Sequence, residues 1–344
     1  MCDSKLRSVK TSCGKVIGTV HAKLTVKVFN ASLYRMVLGR MIVLVTRFFL
    51  ALVLLVFAKL SFAVTFVAGI EASQWYISTS IFECSLTHSI PDYGKGVFYH
   101  EAGEPLKFYL EAYKNPMRSG EAALVIEAPD WLPGTRVTDL GYVPVGQSTR
   151  PVTVMPHNST MMMASLMEGR MPTFTRKAVY ADESVRVRIN PVNFKAFYND
   201  YLACVATLLP VNFRQVERTV VLFEVDKAVL TKEDLKSIDN VVLYVKADPS
   251  VSSIFVDGHT DSSGRRIYNR RLSKERAEVV TQYLVDHGIK EELITTRYHG
   301  ERYPAVSNKT FDSRKRNRRS TIRLERGPRA PKSTPIREAQ AGTL

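Results

Sequence analysis

The sequence predicts an α+β chain of two domains, an N-terminal antiparallel β barrel or sandwich followed by a small α/β sandwich of βαβαβ type. Three observations predict it. From Val64 to about Leu209, apolar residues alternate or run short between Gly and Pro punctuation, as in Leu106–Tyr113, Ala123–Glu127 and Val185–Ile189. From Thr219 onward strand-like runs alternate with helical ones, the pattern of helices laid on one face of a sheet. A chain of 344 residues can bury two separate cores.

At the N-terminus, residues 48 to 58 (FFLALVLLVFA) form a short apolar core, preceded by Arg40 and Arg47 and followed by Ser61-Phe62-Ala63. Positive flank, apolar run and small residues before the cut are the parts of a secretory signal peptide, assigned to 41–63 with cleavage after Ala63. The rival is an uncleaved anchor, because apolar residues resume from Leu60 to Ile70. Lys59 would then lie near mid-membrane, at a cost of about 2.5 to 3.5 kcal/mol. Residues 1–40 carry no structural pattern and read as an over-called or disordered extension, with the true start at Met36 or Met41. Beyond Ala63 only Cys84 and Cys204 remain, and in an oxidising compartment an isolated pair predicts a disulfide. Two free buried thiols are the alternative. The β region is assigned to 64–212, with Pro210–Arg218 as its link to the second domain at 213–326.

In the second domain Thr219–Val225 reads as a strand, and Thr231 caps a helix whose apolar face is Leu235, Ile238, Val242 and Val245. A strand at Ser253–Val256 precedes a helix from Leu272 to His287 that stops at Gly288. A short helix near Glu291 and strands at Ile294–Tyr298 and Ser320–Leu324 complete the sandwich. The tail 327–344, rich in Pro, Arg and small residues, reads as disordered.

Three features of this domain belong together: Gly258-His259-Thr260-Asp261 after a strand, Asn269–Leu284 opening a helix, and Arg316-Asn317-Arg318-Arg319 before the last strand. Such ends can converge on a shallow pocket. Arg276, placed in the first helical turn, would point its guanidinium forward beside unpaired backbone N–H groups, an arrangement that suits a carboxylate. Asp261 opposite it suits an ammonium group. The pair therefore fits a zwitterionic amino acid end, held by charge-assisted bonds about twice as strong as neutral ones. A plain Asp261–Arg276 salt bridge holding loop to helix is the alternative, and the residues alone leave it open.

The pattern N-x-x-L-S-x-x-R-A-x-x-V-x-x-x-L, filled by Asn269, Leu272, Ser273, Arg276, Ala277, Val280 and Leu284, resembles the signature of OmpA-like peptidoglycan-binding domains. Thr260-Asp261, Phe223 with Asp226, and Asn317-Arg318-Arg319 match further positions, so the resemblance covers roughly 219–326. It implies non-covalent binding of meso-diaminopimelate in the stem peptide, with Asp261 on the amine, Arg276 on the carboxylate, and Asn269, Thr260 and Arg319 lining the pocket. On that reading Asp261→Ala or Arg276→Ala removes wall binding and spares the fold.

In the first domain Trp75, then Cys84, Leu86, His88, Ile90-Pro91, Tyr93-Gly94 and Ala102-Gly103, resembles the N-terminal domain of the MotY family of sodium-type flagellar motor proteins. This resemblance implies a periplasmic component at the flagellar basal body that anchors stator units to the wall. Its implied partners are stator subunits, a MotX-like periplasmic protein and a basal body ring. A general OmpA-like envelope protein linking outer-membrane or periplasmic partners to peptidoglycan is the alternative.

Other classes lack support. The net charge of +15 suggests nucleic acid, but residues 1–63 hold ten Lys/Arg and one acid, leaving 38 basic against 32 acidic residues in the rest. No nucleic-acid-binding signature accompanies that excess. An enzyme needs a poised nucleophile, a phosphate loop or zinc spacing, and none is present; His88, His100 and His157 are scattered and no cofactor or metal is expected. A stator channel needs a carboxylate within its span, and Met41–Ile70 has none. An outer-membrane porin needs a lipid-facing band, which Lys107, Glu111, Arg136, Arg186 and Arg188 interrupt.

Overall fold

The computed structural model describes residues 39–41, 44–47, 63–132, 134 and 136–327. The chain forms two compact units, Met1–Ser61 and Phe62–Leu344. In the first, residues 39–41 and 44–47 are helical and exposed. The apolar core of the expected signal peptide, most of the expected 1–40 extension and the tail from 328 lie outside the described residues. No helix among the described residues is long and apolar enough to cross a membrane.

Ten strands build the first domain: β1 (Val64–Phe66), β2 (Trp75–Thr79), β3 (Glu83–Ile90), β4 (Gly94–Glu101), β5 (Lys107–Ala112), β6 (Gly120–Glu127), β7 (Thr138–Val145), β8 (Val152–Val154), β9 (Met171–Lys177) and β10 (Ser184–Arg188). Alternation makes them strands. In β3 and β5 every second residue is buried, placing Leu86 and Ile90, and Phe108 and Leu110, on the core face. They join in one sheet of order β1-β10-β9-β6-β7-β8-β5-β4-β3-β2, antiparallel except for β1 beside β10. The barrel-or-sandwich expectation is replaced by this single curled sheet. Its curl is measurable, because Phe108 of β5 stacks on Phe174 of β9 with ring centroids 5.7 Å apart. Four strand steps in a flat sheet would separate them by about 19 Å.

Two helices that the sequence reading missed close the curl. The first, α1 (Pro156–Met167), starts on Pro156 and buries Met162, Met163 and Leu166. The second, α2 (Phe194–Ala206), buries Phe194, Phe197, Tyr201 and Cys204, a helical stripe set against β2 and β3. That packing brings Cys204 to Cys84 of β3, and the two form a disulfide with Cα atoms 6.1 Å apart.

The link is ordered. Asn212 caps a short helix, α3 (Phe213–Val216), through a reciprocal capping box with Gln215. The Asn212 amide also donates to the Ala102 carbonyl at 3.1 Å, tying the link back to the first domain. Phe82 of the first domain packs on Tyr244 of the second at 5.7 Å.

The second domain runs β11 (Arg218–Leu222), α4 (Lys232–Ala247), β12 (Val251–Gly258), α5 (Arg266–Asp286), a 3-10 turn (Glu291–Leu293), β13 (Ile294–Tyr298), α6 (Phe311–Asn317) and β14 (Arg319–Arg326). The sheet order is β11-β14-β12-β13, with β12 and β13 parallel. Thr231 caps α4 as expected, and Ile238, Val242 and Val245 are buried with Val241 and Tyr244, while Leu235 of the expected face is only half-buried. Gly288 follows α5 with φ +81, the left-handed stop that glycine allows. One expectation is corrected: α5 begins six residues before Leu272, at Arg266. A further helix, α6, which the sequence did not suggest, covers residues 311–317 and is capped by Thr310.

Candidate functional site

The ends of β12, α5, β13 and β14 meet at one edge of the second domain, because Gly258 lets the helix come close. A Cβ on Gly258 would lie 2.0 Å from the Ser273 carbonyl oxygen, so only glycine permits α5 to rest on the strand end here. From that contact the chain turns through His259, Thr260 and Asp261, all buried. The Thr260 N–H donates to the Gly300 carbonyl at 2.9 Å, fastening this loop to the one that follows β13.

Asp261 faces Arg318. Its Oδ2 accepts from Arg318 Nη1 at 3.0 Å and its Oδ1 from the Ser263 N–H at 2.9 Å. Arg318 Nε in turn donates to the Phe223 carbonyl at 3.0 Å, so this arginine bridges β11 to the loop. The Asp261–Arg276 salt bridge that the residues alone left open as an alternative is not the pairing seen; Asp261 pairs with Arg318. Arg276 does not sit in the first helical turn but well inside α5, ten residues after its start, so unpaired helix N–H groups are not beside it.

Arg276 is wholly buried. Its guanidinium donates to three carbonyls, those of Lys227 at 2.9 Å, His259 at 3.1 Å and Glu224 at 2.9 Å, and lies over the Phe223 ring at 5.1 Å. Burial brings its pKa down to about 10, against the opposing pull of the Asp261 charge. It therefore stays cationic at neutral pH. The turn that covers it includes Asp226, a non-glycine residue at φ 59 whose carboxylate accepts from the Tyr268 hydroxyl.

The remaining candidates gather around the same edge. Asn269, in the first turn of α5, donates to the Asp261 carbonyl at 3.3 Å and to Glu301. Thr260 Oγ1, His259 Nδ1 and Arg319 Nη1 are buried and lack a hydrogen-bond partner among the described residues. Such groups are costly to leave unmade. Burial, and then the nearby Arg319 charge, press the His259 pKa down to about 4. Arg319 opens β14 and donates to the Tyr303 carbonyl at 3.2 Å. The structure thus brings Asp261, Asn269, Thr260, Arg276 and Arg319 to one edge. It adds Arg318 and Glu301, which the sequence reading did not select. The tandem Arg318-Arg319 at the entry to β14 was the available signal. No group of His, Cys, Asp and Glu among the described residues is placed to hold a metal ion.

A curled sheet closed by a disulfide-bound helix, followed by a βαβαβ-type sandwich with a charged edge, is a two-module architecture. Residues 66–210 match the family model of the MotY N-terminal domain and residues 222–318 that of the OmpA family. Over 275 residues it is 29% identical to the sodium-type flagellar protein MotY of Vibrio parahaemolyticus, spanning 76% of this chain and 90% of that one. Outer membrane protein A of Bordetella avium is 39% identical over 102 residues, 30% of this chain and 52% of its own length. Among solved structures, the C-terminal domain of Helicobacter pylori MotB aligns at 20% identity and a TM-score of 0.30, covering 32% of this chain and 85% of that one.

Proposed function

We propose that this chain is a periplasmic component of the flagellar motor that anchors stator units around the basal body by gripping peptidoglycan without covalent chemistry. The observation that carries the wall-binding part is the edge around Asp261. A buried carboxylate, two buried guanidinium groups and three buried polar atoms without partners among the described residues crowd one rim of the second domain. A zwitterionic ligand such as the free end of meso-diaminopimelate satisfies both signs of charge there. Asp261 takes the ammonium group. Arg276 supplies the cation for the carboxylate: of its five N–H groups three are spent on carbonyls, and two remain. Access to those two depends on the strained turn at Asp226 yielding, and a carboxylate is a stronger acceptor than the carbonyls it would compete with. Thr260, Asn269 and Arg319 line the approach.

The motor part of the proposal rests on the likeness to the Vibrio protein. The first domain would meet stator subunits, a MotX-like partner and the basal body ring, while the second holds the wall. The ordered link supports this division of labour, because a tether that resists torque gains from a stiff junction. Many copies in a ring add avidity that one small-ligand site lacks. Two measurements test the reading. Purified sacculi should pull down the secreted chain, and Asp261→Asn should not be retained. Cells lacking the chain should be flagellated but unable to swim; normal swimming with envelope blebs would instead favour a general wall linker.

A further inference from the structure

Beside the Asp261 edge lies a cleft of about 130 Å³ that shares only Glu301 with the site residues described above. Its walls include Arg266 and Arg270 from the start of α5, and Tyr298, Glu301, Arg302 and Tyr303 from the end of β13 and the loop after it. The three arginines are exposed, and none makes an ion pair with a carboxylate among the described residues. The one acid in the cleft, Glu301, is engaged by the Asn269 amide. Arg270 lies over the Tyr298 ring at 5.4 Å, which holds its guanidinium at the wall.

Folding stability does not account for this placement. Arg265 caps α5 without a side-chain hydrogen bond, and the first turn contains no acid, so cations stand at the positive end of a 21-residue helix. A helix selected for stability alone carries acids there. The cleft and the Asp261 pocket also share a wall, since the Asn269 amide donates to the Asp261 carbonyl on one side and to Glu301 on the other. A polymer gripped at Asp261 would pass directly into the cleft.

We infer that the cleft is a second anion subsite, and that it takes a carboxylate of the same stem peptide, one residue removed from the zwitterionic end. This rests on the peptidoglycan reading above. In a diaminopimelate-type wall the neighbouring residue is a γ-linked D-glutamate, whose α-carboxylate is free or amidated. Arg270 and Arg302 bind that carboxylate when it is free.

The test titrates the secreted chain with two soluble peptides, L-Ala-γ-D-Glu-meso-diaminopimelate and the same peptide amidated at the glutamate α-carboxylate. The free acid should bind about fivefold to tenfold more tightly to the unaltered chain, the factor expected of one charge-assisted contact at a solvated site. The R270Q/R302Q variant should bind both peptides equally, at the weaker affinity. Equal affinity of the unaltered chain for both peptides overturns the subsite and leaves the diaminopimelate reading standing. Discrimination retained by R270Q/R302Q also overturns it. Binding of neither peptide removes both readings together.

Discussion

Asp261 and Arg318 form a buried ion pair, 3.0 Å from Oδ2 to Nη1, with side chains 8% and 4% exposed. The pair closes the loop after β12 against the start of β14, and each Asp261 oxygen, accepting one bond, keeps a further lone pair. Removing one partner of such a pair strands the other charge. Asp261→Ala should therefore cost about 3 to 5 kcal/mol of stability, whereas Asp261→Asn keeps an acceptor for Arg318 and should cost about 1 to 3 kcal/mol. Urea unfolding beside sacculus pull-down separates the effects: Asn should abolish retention in a folded protein.

Arg276 requires the same care. The sequence reading expected Arg276→Ala to spare the fold, but the side chain is fully buried and ties α5 to Glu224, Lys227 and His259. Its loss leaves three carbonyls without their donor, and about 3 to 5 kcal/mol should follow. Arg276→Lys keeps the charge with fewer donors and should melt between the two. A variant Arg276→Ala with the melting temperature of the parent chain would refute this placement.

The Cys84–Cys204 bond closes 120 residues of the first domain. In the chain-entropy model a loop of that length stabilises by about 5 kcal/mol. Reduction, or Cys84→Ser with Cys204→Ser, should shift the urea midpoint of the first domain sharply downward. The second domain should keep its own transition, because its core contains neither cysteine.

Acid should weaken the first domain through His88. This side chain is buried against Trp75, and burial lowers its pKa to about 4 from the usual 6.5. The unfolded chain then binds more protons than the folded one between those values, so stability rises with pH across this window. The contribution is fully present above about pH 6.5 and is lost progressively on acidification toward pH 4, by up to about 3 kcal/mol. His88→Gln should flatten the pH dependence of the urea midpoint in that window; an unaltered slope would assign the effect elsewhere.

Asn212 is a hinge pin between the domains. It caps α3 and reaches the Ala102 carbonyl from a buried position. Asn212→Ala should cost about 1 to 2 kcal/mol and raise amide hydrogen exchange at Gln215 and around Ala102, with little change in β12 or β6. Exchange confined to the parent pattern would show the junction held by Phe82 and Tyr244 packing alone.

Much of the second domain was legible in the sequence. Thr231, the stripe Ile238, Val242 and Val245, and Gly288 each announce a local rule, a cap, a buried face and a left-handed stop, and each occupies the expected place. The strands of the first domain announced themselves by alternation in the same way. Its two helices did not. The Met-rich run after Pro156 is only weakly amphipathic, and the helix from Phe194 follows Asn193 in a left-handed conformation with no side-chain cap.

The sequence by itself determined the order of the two domains, most of the second domain's helix and strand types, the cysteine pair and five of the residues that gather at the charged edge. These follow from periodicity, capping and residue chemistry, which act over a few neighbouring residues. Only the tertiary structure decided which charge meets which. Asp261 pairs with Arg318 and not Arg276 because α5 starts at Arg266 and carries Arg276 into the interior, beneath the turn at Asp226. The curl that stacks Phe108 on Phe174 is likewise a property of the whole sheet, summed from small twists between neighbouring strands that no local stretch of sequence encodes.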